Sequence, residues 1–249
     1  MRADRDQCDG HADVPDNRRE RNTMSRRVFV IGDLHGCART LRELVTRGIR
    51  LTPSDTLYLL GDLIDRGPDS KGVLDFIFEL TAAGYHVASV RGNHEEMCLR
   101  APYSRSAMEM WAANGGLATL ASFRADGPGD IPRRYLEYLD SLPPYILLDN
   151  FVIVHAGLNF DLEPPFDPFD DTEAMLWTRS DVVERRRIGG RRLICGHTMV
   201  SRQQLEASLK EDKIMLDNGC VTARWPDMGY LAALELNSMR VVFQENIDR

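Results

Sequence analysis

Three short segments hold most of the side chains in this chain that could do chemistry. They are Gly32-Asp33-Leu34-His35-Gly36, Gly61-Asp62-Leu63-Ile64-Asp65-Arg66-Gly67 and Gly92-Asn93-His94-Glu95. Two later histidines, in His155-Ala156-Gly157 and Gly196-His197, share the same glycine-flanked setting. Carboxylate oxygen, imidazole nitrogen and amide oxygen without thiolate are a ligand set for Mn, Fe or Zn. One carboxylate has two oxygens and can span two ions held roughly 3.5–4 Å apart. Asp62 is therefore read as a bridge. Asp33, His35 and Asp62 would serve one ion; Asp62, Asn93, His155 and His197 would serve the other. Such a pair lowers the pKa of a shared water toward ~7 and neutralises phosphoryl oxygens.

A departing alkoxide needs a proton. His94 is the candidate acid, because imidazole titrates near neutral pH. Asp65 is read either as the partner that orients His94 or as a turn residue paired with Arg66. Arg66 and Arg91 lie inside the motifs and are read as phosphate clamps, since a guanidinium fork matches phosphate geometry. Arg179, in Leu176-Trp177-Thr178-Arg179, is read either as a third clamp or as a solvated surface residue. Arg185-Arg186-Arg187 and Arg191-Arg192 are read as a solvated loop.

These groups need strand ends to bring them together. Val28–Ile31, Thr56–Leu60 and His86–Val90 are short apolar runs that predict strands. Helical spacing follows the first two, at Leu41, Leu44 and Val45 and at Val73, Leu74, Ile77, Phe78 and Leu80. The candidate residues fall just after the strands, where ligands bind in open α/β sheets. Residues 95–142 predict a helical insert with helices over Ala107–Ala112, Leu117–Phe123 and Arg133–Leu142. Tyr145–Leu148 and Phe151–Val154 flank Asp149-Asn150 and predict a hairpin. Glu163–Asp171 reads as a loop and Thr172–Trp177 as a helix. Leu193–Cys195, Ile214–Leu216, Tyr230–Leu236 and Arg240–Gln244 predict further strands, the last two joined at Asn237-Ser238. The second half is thus richer in hairpins than the first. An α/β (α+β) fold follows, with a two-layer β-sheet core and outer helices.

A chain of 249 residues is long enough to bury a sizeable core. The net charge of −7 argues against a general nucleic-acid binder. No apolar run approaches the ~20 residues that cross a bilayer, so no membrane partner is expected. The five cysteines lack finger or CxxC spacing and read as free thiols in a reducing compartment, which predicts a cytoplasmic protein. Residues 1–23 are polar and aperiodic and read as a disordered leader. A single catalytic domain is expected over 24–249, with Met24 as a candidate start.

The set GDLHG, GDLIDRG, RGNHE, HAG and GH resembles the PPP family of metal-dependent protein phosphatases, within the calcineurin-like metallophosphoesterases. The resemblance spans Met24 to the C-terminus. Trp111-Ala112-Ala113-Asn114-Gly115-Gly116 and Leu176-Trp177-Thr178-Arg179 resemble its bacterial and phage branch, typified by the lambda phage protein phosphatase. The resemblance implies a β-sandwich flanked by helices and a dinuclear site, with Mn²⁺ first and Fe or Zn as alternatives. It implies direct hydrolysis without a phosphoenzyme. From their chemistry and setting, Arg66, Arg91, Arg179 and Asn93 are candidates for phosphate binding, and His94, Asp65, Arg66 and Arg91 are candidate catalytic groups. The substrate implied is a phosphoprotein or phosphopeptide at serine or threonine. The related symmetrical diadenosine tetraphosphatases typically carry Ala at position 65 and Asp at position 95; Asp65 and Glu95 here favour the phosphatase. A dinucleoside polyphosphate is the alternative substrate. A catalytically silent binding module on the same fold would usually have lost ligands or the acid histidine, and none is missing.

Overall fold

A computed structural model describes residues 26–222 and 227–248. The expected leader, 1–23, and the candidate start lie outside the described residues. The strands are β1 (Val28–Ile31), β2 (Thr56–Leu59), β3 (His86–Ser89), β4 (Tyr145–Leu147), β5 (Phe151–Val154), β6 (Arg192–Cys195), β7 (Lys213–Met215), β8 (Tyr230–Glu235) and β9 (Arg240–Glu245). They form two sheets, β3-β2-β1-β8-β9 and β4-β5-β6-β7. In the first, β1, β2 and β3 run parallel, while β8 is antiparallel to β1 and β9 to β8. In the second, β4 and β5 form the expected antiparallel hairpin. The β5–β6 and β6–β7 pairs are parallel, so the second half is less hairpin-rich than its sequence suggests.

Strand alternation explains how the layers close. Successive side chains point to opposite faces. Val30 faces the second sheet, where it packs with Ile153, Ile194 and Ile214 beside Ala232 and Leu234 of its own sheet. Its neighbours Phe29 and Ile31 face the other way, into a core shared with the helices. On the second sheet Ile153 and Ile194 point inward, while Val152, Val154, Leu193 and Cys195 form a third cluster on the outer face. The result is a sheet-on-sheet sandwich with helices outside.

The helices are α1 (Ala38–Glu43), α2 (Ser70–Ala82), α3 (Asn93–Arg100), α4 (Arg105–Trp111), α5 (Leu117–Phe123), α6 (Arg133–Ser141), α7 (Thr172–Trp177) and α8 (Arg202–Ser208). Asp69 caps α2 by accepting the Gly72 N–H, and Ser104 caps α4 by accepting that of Ala107. Two elements differ from expectation. α3 begins at Asn93, so Asn93, His94 and Glu95 occupy a first helical turn. α8 was not expected; Ser201 and Gln204 form a reciprocal capping box there. Of the arginines read as a solvated loop, Arg185 and Arg186 are exposed, but three others bind carbonyls. Arg187 reaches Phe160 O, Arg191 reaches Leu148 O, and Arg192 reaches Leu209 O. All three are half-buried.

Candidate metal centre

Because β1 and β2 are parallel neighbours, the loops at their C-terminal ends run side by side. The Asp62 carbonyl accepts the N–H groups of Leu34 and His35, at 3.1 and 2.7 Å. Glu95, fully buried in the first turn of α3, fastens the third loop to them. Its Oε2 accepts the Asp62 and Gly92 N–H groups and its Oε1 that of Leu63, each at 2.8 Å. Three strand ends thereby become one rigid platform.

Asp62 lies at its centre. Its Oδ1 accepts the His94 N–H at 3.1 Å and is 3.4 Å from His155 Nε2. Its Oδ2 is 3.5 Å from His35 Nε2 and 3.9 Å from His94 Nε2. Two clusters with metal-ligand geometry, His35–Asp62–His94 and Asp62–His155–His197, meet at this one carboxylate. Burial works against its charge, but the His155, His94 and His35 imidazoles and the His94 N–H hold its pKa below the usual carboxylate range.

Hydrogen bonds fix the tautomers. His35 Nδ1 donates to Ile64 O at 3.1 Å, and His155 Nδ1 to Leu60 O at 2.8 Å. Each Nε2 then turns its lone pair into the site. For His155 that lone pair faces two oxygens, Asn93 Oδ1 at 2.8 Å and Asp62 Oδ1 at 3.4 Å. Three acceptors converging on one point require a proton or a cation among them. Burial lowers the pKa of His155 and disfavours the proton. Burial likewise pulls His35 down to about 3 and, with His155 next, His197 down to about 4. Asp33 Oδ1 and His197 Nε2 are buried polar atoms without a partner. Orphaned atoms of this kind call for a ligand. The donor set therefore fits divalent ions.

Sequence reasoning had assigned Asp33, His35, Asp62, Asn93, His155 and His197 to metal, and all six lie around this centre. Asn93 Oδ1 is also 3.0 Å from His197 Nδ1. Asp33 stands apart from both clusters: its Oδ2 accepts the His197 N–H at 3.0 Å, leaving Oδ1 free. Burial, then Asp217 and Asp62, push its pKa well above the usual range.

His94 and Asp65 form a buried dyad, Nδ1 to Oδ2 at 2.7 Å. Burial would lower the His94 pKa, yet the Asp62 and Asp65 charges outweigh it and raise the value. Arg66 places Nη1 2.7 Å from His35 Nε2, on the lone pair an ion would take. Arg179 is exposed; its charge reaches His197 and contributes to that histidine's lowered pKa.

Arg91 corrects the sequence reading. Its Nη1 donates to Glu96 Oε2 at 3.0 Å, and its Nη2 to the Asp140 carbonyl and carboxylate. The fork ties α3 to α6 and is not available as a phosphate clamp in this arrangement. Val90, its neighbour, packs between the sheets, so Arg91 points to the opposite side, toward the insert.

Three residues were missed. Trp111 Nε1 donates to Asp65 Oδ1 and Oδ2 at 3.1 and 2.9 Å, and Thr119 Oγ1 donates to Oδ1 at 2.6 Å. Asp217, just beyond β7, is a buried carboxyl whose pKa burial and then Asp62 push up to about 6. Its position just after a strand, like that of the other acids, was the available signal.

A two-sheet sandwich with an Asp, Asn and His cluster at its strand ends defines a metallophosphoesterase, an enzyme that hydrolyses phosphoesters. Comparison with known proteins agrees. The calcineurin-like phosphoesterase family matches residues 26–201, and the chain belongs to that family. Serine/threonine-protein phosphatase 1 of Salmonella typhimurium is 46% identical over 92 residues, 36% of this chain and 39% of that protein. The asymmetrical bis(5'-nucleosyl)-tetraphosphatase PrpE of Geobacillus thermodenitrificans is 28% identical over 234 residues, 81% of this chain and 91% of that one. A solved protein serine/threonine phosphatase of Saccharomyces cerevisiae superposes with a TM-score of 0.60 at 16% identity, over 92% of this chain and 82% of its own, which is a likeness of fold. Among the described residues no helix is long and apolar enough to cross a membrane.

Proposed function

We propose that the protein is a metal-dependent phosphomonoesterase that removes phosphate from serine and threonine side chains of proteins, as a member of the bacterial and phage branch. The buried Asp65–His94 dyad carries this reading. A serine or threonine alkoxide is a poor leaving group and needs a proton as the P–O bond breaks. The leaving phosphate of an anhydride is far less basic and gains less from an acid. A histidine kept protonated by two carboxylates, with an unpartnered Nε2 facing the centre, suits the first task.

Asp33, His35, Asp62, Asn93, His155 and His197 would hold two divalent ions, Mn²⁺ first. When bound, the ions supply the activated nucleophile and neutralise phosphoryl oxygens. The chain itself binds, orients and protonates. Arg66 and Arg179 grip the terminal phosphoryl oxygens, with the Asn93 amide beside them. His94 Nε2 gives its proton to the departing side-chain oxygen, while Asp65 holds Nδ1. The four described cysteines are free thiols, as expected of a cytoplasmic enzyme whose catalytic domain spans 24–249.

A panel of Mn²⁺-loaded assays tests the proposal. kcat/KM should be higher for phosphoserine and phosphothreonine peptides than for diadenosine tetraphosphate or bis-p-nitrophenyl phosphate. A higher value for diadenosine tetraphosphate would overturn it in favour of the second reading, a dinucleoside tetraphosphatase. The near full-length match to PrpE favours that second reading in its asymmetrical form. ATP plus AMP would mark asymmetrical cleavage, and two ADP symmetrical cleavage.

A further inference from the structure

The dyad does not stand alone. Asp65 is fully buried, and every lone pair it directs into the protein meets a donor. Oδ2 receives His94 Nδ1–H at 2.7 Å and Trp111 Nε1–H at 2.9 Å. Oδ1 receives the Thr119 hydroxyl at 2.6 Å and shares the indole N–H at 3.1 Å. The Asp65 N–H in turn donates to Thr119 Oγ1 at 2.9 Å and Ser70 Oγ at 3.0 Å. Trp111 closes α4 and Thr119 lies in the first turn of α5, so both partners come from the helical insert.

The segment between them is built to this end. Gly115 has φ of +109°, a conformation that L side chains rarely adopt, and its carbonyl accepts the Arg66 N–H at 3.2 Å. A Cβ on Gly115 would meet the Arg66 backbone nitrogen at 2.8 Å. One on Gly116 would meet the Trp111 ring at 2.5 Å. The turn thus presses the indole against Asp65 and pins the backbone of Arg66 beside it.

We propose that Trp111 and Thr119 are positioning residues for the proton donor: they lock the Asp65 carboxylate so that His94 aims Nε2 at the leaving group. The lock has a physical reason. His94 Nε2 already lies 3.9 Å from Asp62 Oδ2. A loosened Asp65 would let the ring swing about its side-chain bonds, and Nε2 would lose its aim at the substrate oxygen. The insert is therefore part of the acid machinery.

This inference rests on the reading of His94 as general acid, and the experiment separates the two. Trp111→Phe keeps the ring packing and removes the N–H. Thr119→Val removes the hydroxyl, and Thr119→Ser restores it. Each Mn²⁺-loaded variant is assayed on a phosphoserine peptide and on p-nitrophenyl phosphate, whose leaving group needs little help, beside His94→Asn. General acid catalysis contributes roughly 10²–10⁴-fold. His94→Asn should lose at least ~10²-fold in kcat on the peptide and much less on p-nitrophenyl phosphate. Trp111→Phe and Thr119→Val should lose about 10-fold in kcat on the peptide only, a fraction of that range, with KM unchanged. Thr119→Ser should recover the loss. Equal losses on both substrates, or no loss on the peptide, would overturn the positioning role while His94→Asn still discriminates. If His94→Asn does not discriminate, the acid reading itself fails. Should Trp111→Phe not fold, the Thr119→Val and Thr119→Ser pair decides alone.

Discussion

Asp217→Asn should stabilise the metal-free protein near neutral pH and do little in acid. The wild-type carboxyl is 3% exposed, and burial, followed by the Asp62 charge, pushes its pKa up to about 6. Against an ordinary value of 3.8 this is roughly 3 kcal/mol at 1.36 kcal/mol per pH unit. The sign follows from proton binding. Between the two values the folded state holds a proton that the unfolded chain has released, so stability falls as pH rises. The loss begins near pH 4 and is complete a little above pH 6. Asparagine keeps the shape, and its Oδ1 can still accept the Gly219 N–H, 2.7 Å from Oδ1 in the wild type. Any fixed cost of the amide is the same at every pH and cancels between two pH values. For a domain of this size 1 kcal/mol moves Tm by about 2–4 °C. Roughly a third of the loss has already occurred by pH 4.5, so in chelator the Tm of the variant relative to wild type should rise by about 4–8 °C between pH 4.5 and pH 7. Saturating Mn²⁺ should shrink that gain, because nearby cations lower the carboxyl pKa. A Tm difference that is flat with pH would refute the claim that Asp217 is a buried, repelled carboxylate. A gain untouched by Mn²⁺ would remove it from the neighbourhood of the ions.

Asp62→Asn should weaken both ions together, beyond the ~10–100-fold that loss of an outer-shell partner costs, as read by metal content after dialysis. Loss of one ion only would remove Asp62 as the bridge. Arg66→Ala frees the His35 lone pair and should leave Mn²⁺ affinity equal or tighter, while kcat/KM for phosphomonoesters falls about 10–100-fold, in line with loss of charged hydrogen bonds. Arg91→Ala should instead lower Tm and leave kcat/KM within about 3-fold, since charged hydrogen bonds to substrate would cost far more. A loss of activity equal to that of Arg66→Ala would return Arg91 to the phosphate.

The candidate metal centre was legible because its residues sit at a fixed place in a regular pattern. Asp33, Asp62, Asn93, His155 and His197 each follow a short apolar run, and parallel pairing then brings those ends together. The acid dyad was legible in part: His94 and Asp65 could be named, but what holds Asp65 could not. Trp111 and Thr119 lie 46 and 54 residues along the chain from it, a distance over which no local periodicity speaks. Arg91 was misread for the converse reason. It is three residues from His94, yet it lies in the link between β3 and α3, and its fork turns to Glu96 and Asp140. α8 was missed because its only fully buried apolar side chain is Leu205, too little for an apolar stripe, although Ser201 and Gln204 spell its capping box.

Charge explains why the same residues look uncomfortable without ions. Asp33, Asp62, Glu95 and Asp217 are all buried within the centre, and Asp65 is paired with His94. Among the described residues, Arg66 is the permanent cation with its tip at the candidate ligands. Burying unpaired carboxylates is costly, and such groups shift their pKa in response. The shifts follow that rule: Asp33 is well above its usual range, Asp217 is pushed up to about 6, and Glu95 up to about 7 by burial and Asp62. Glu95 cannot relax by moving, because its oxygens hold three backbone N–H groups that fix Asp62 in place. The rigidity that makes the platform precise for ligands also makes it repulsive to itself. Two divalent ions would set four positive charges among these buried carboxyl groups. A neutral ligand would leave that repulsion intact, so the fold and its electrostatics select for cations before any substrate arrives.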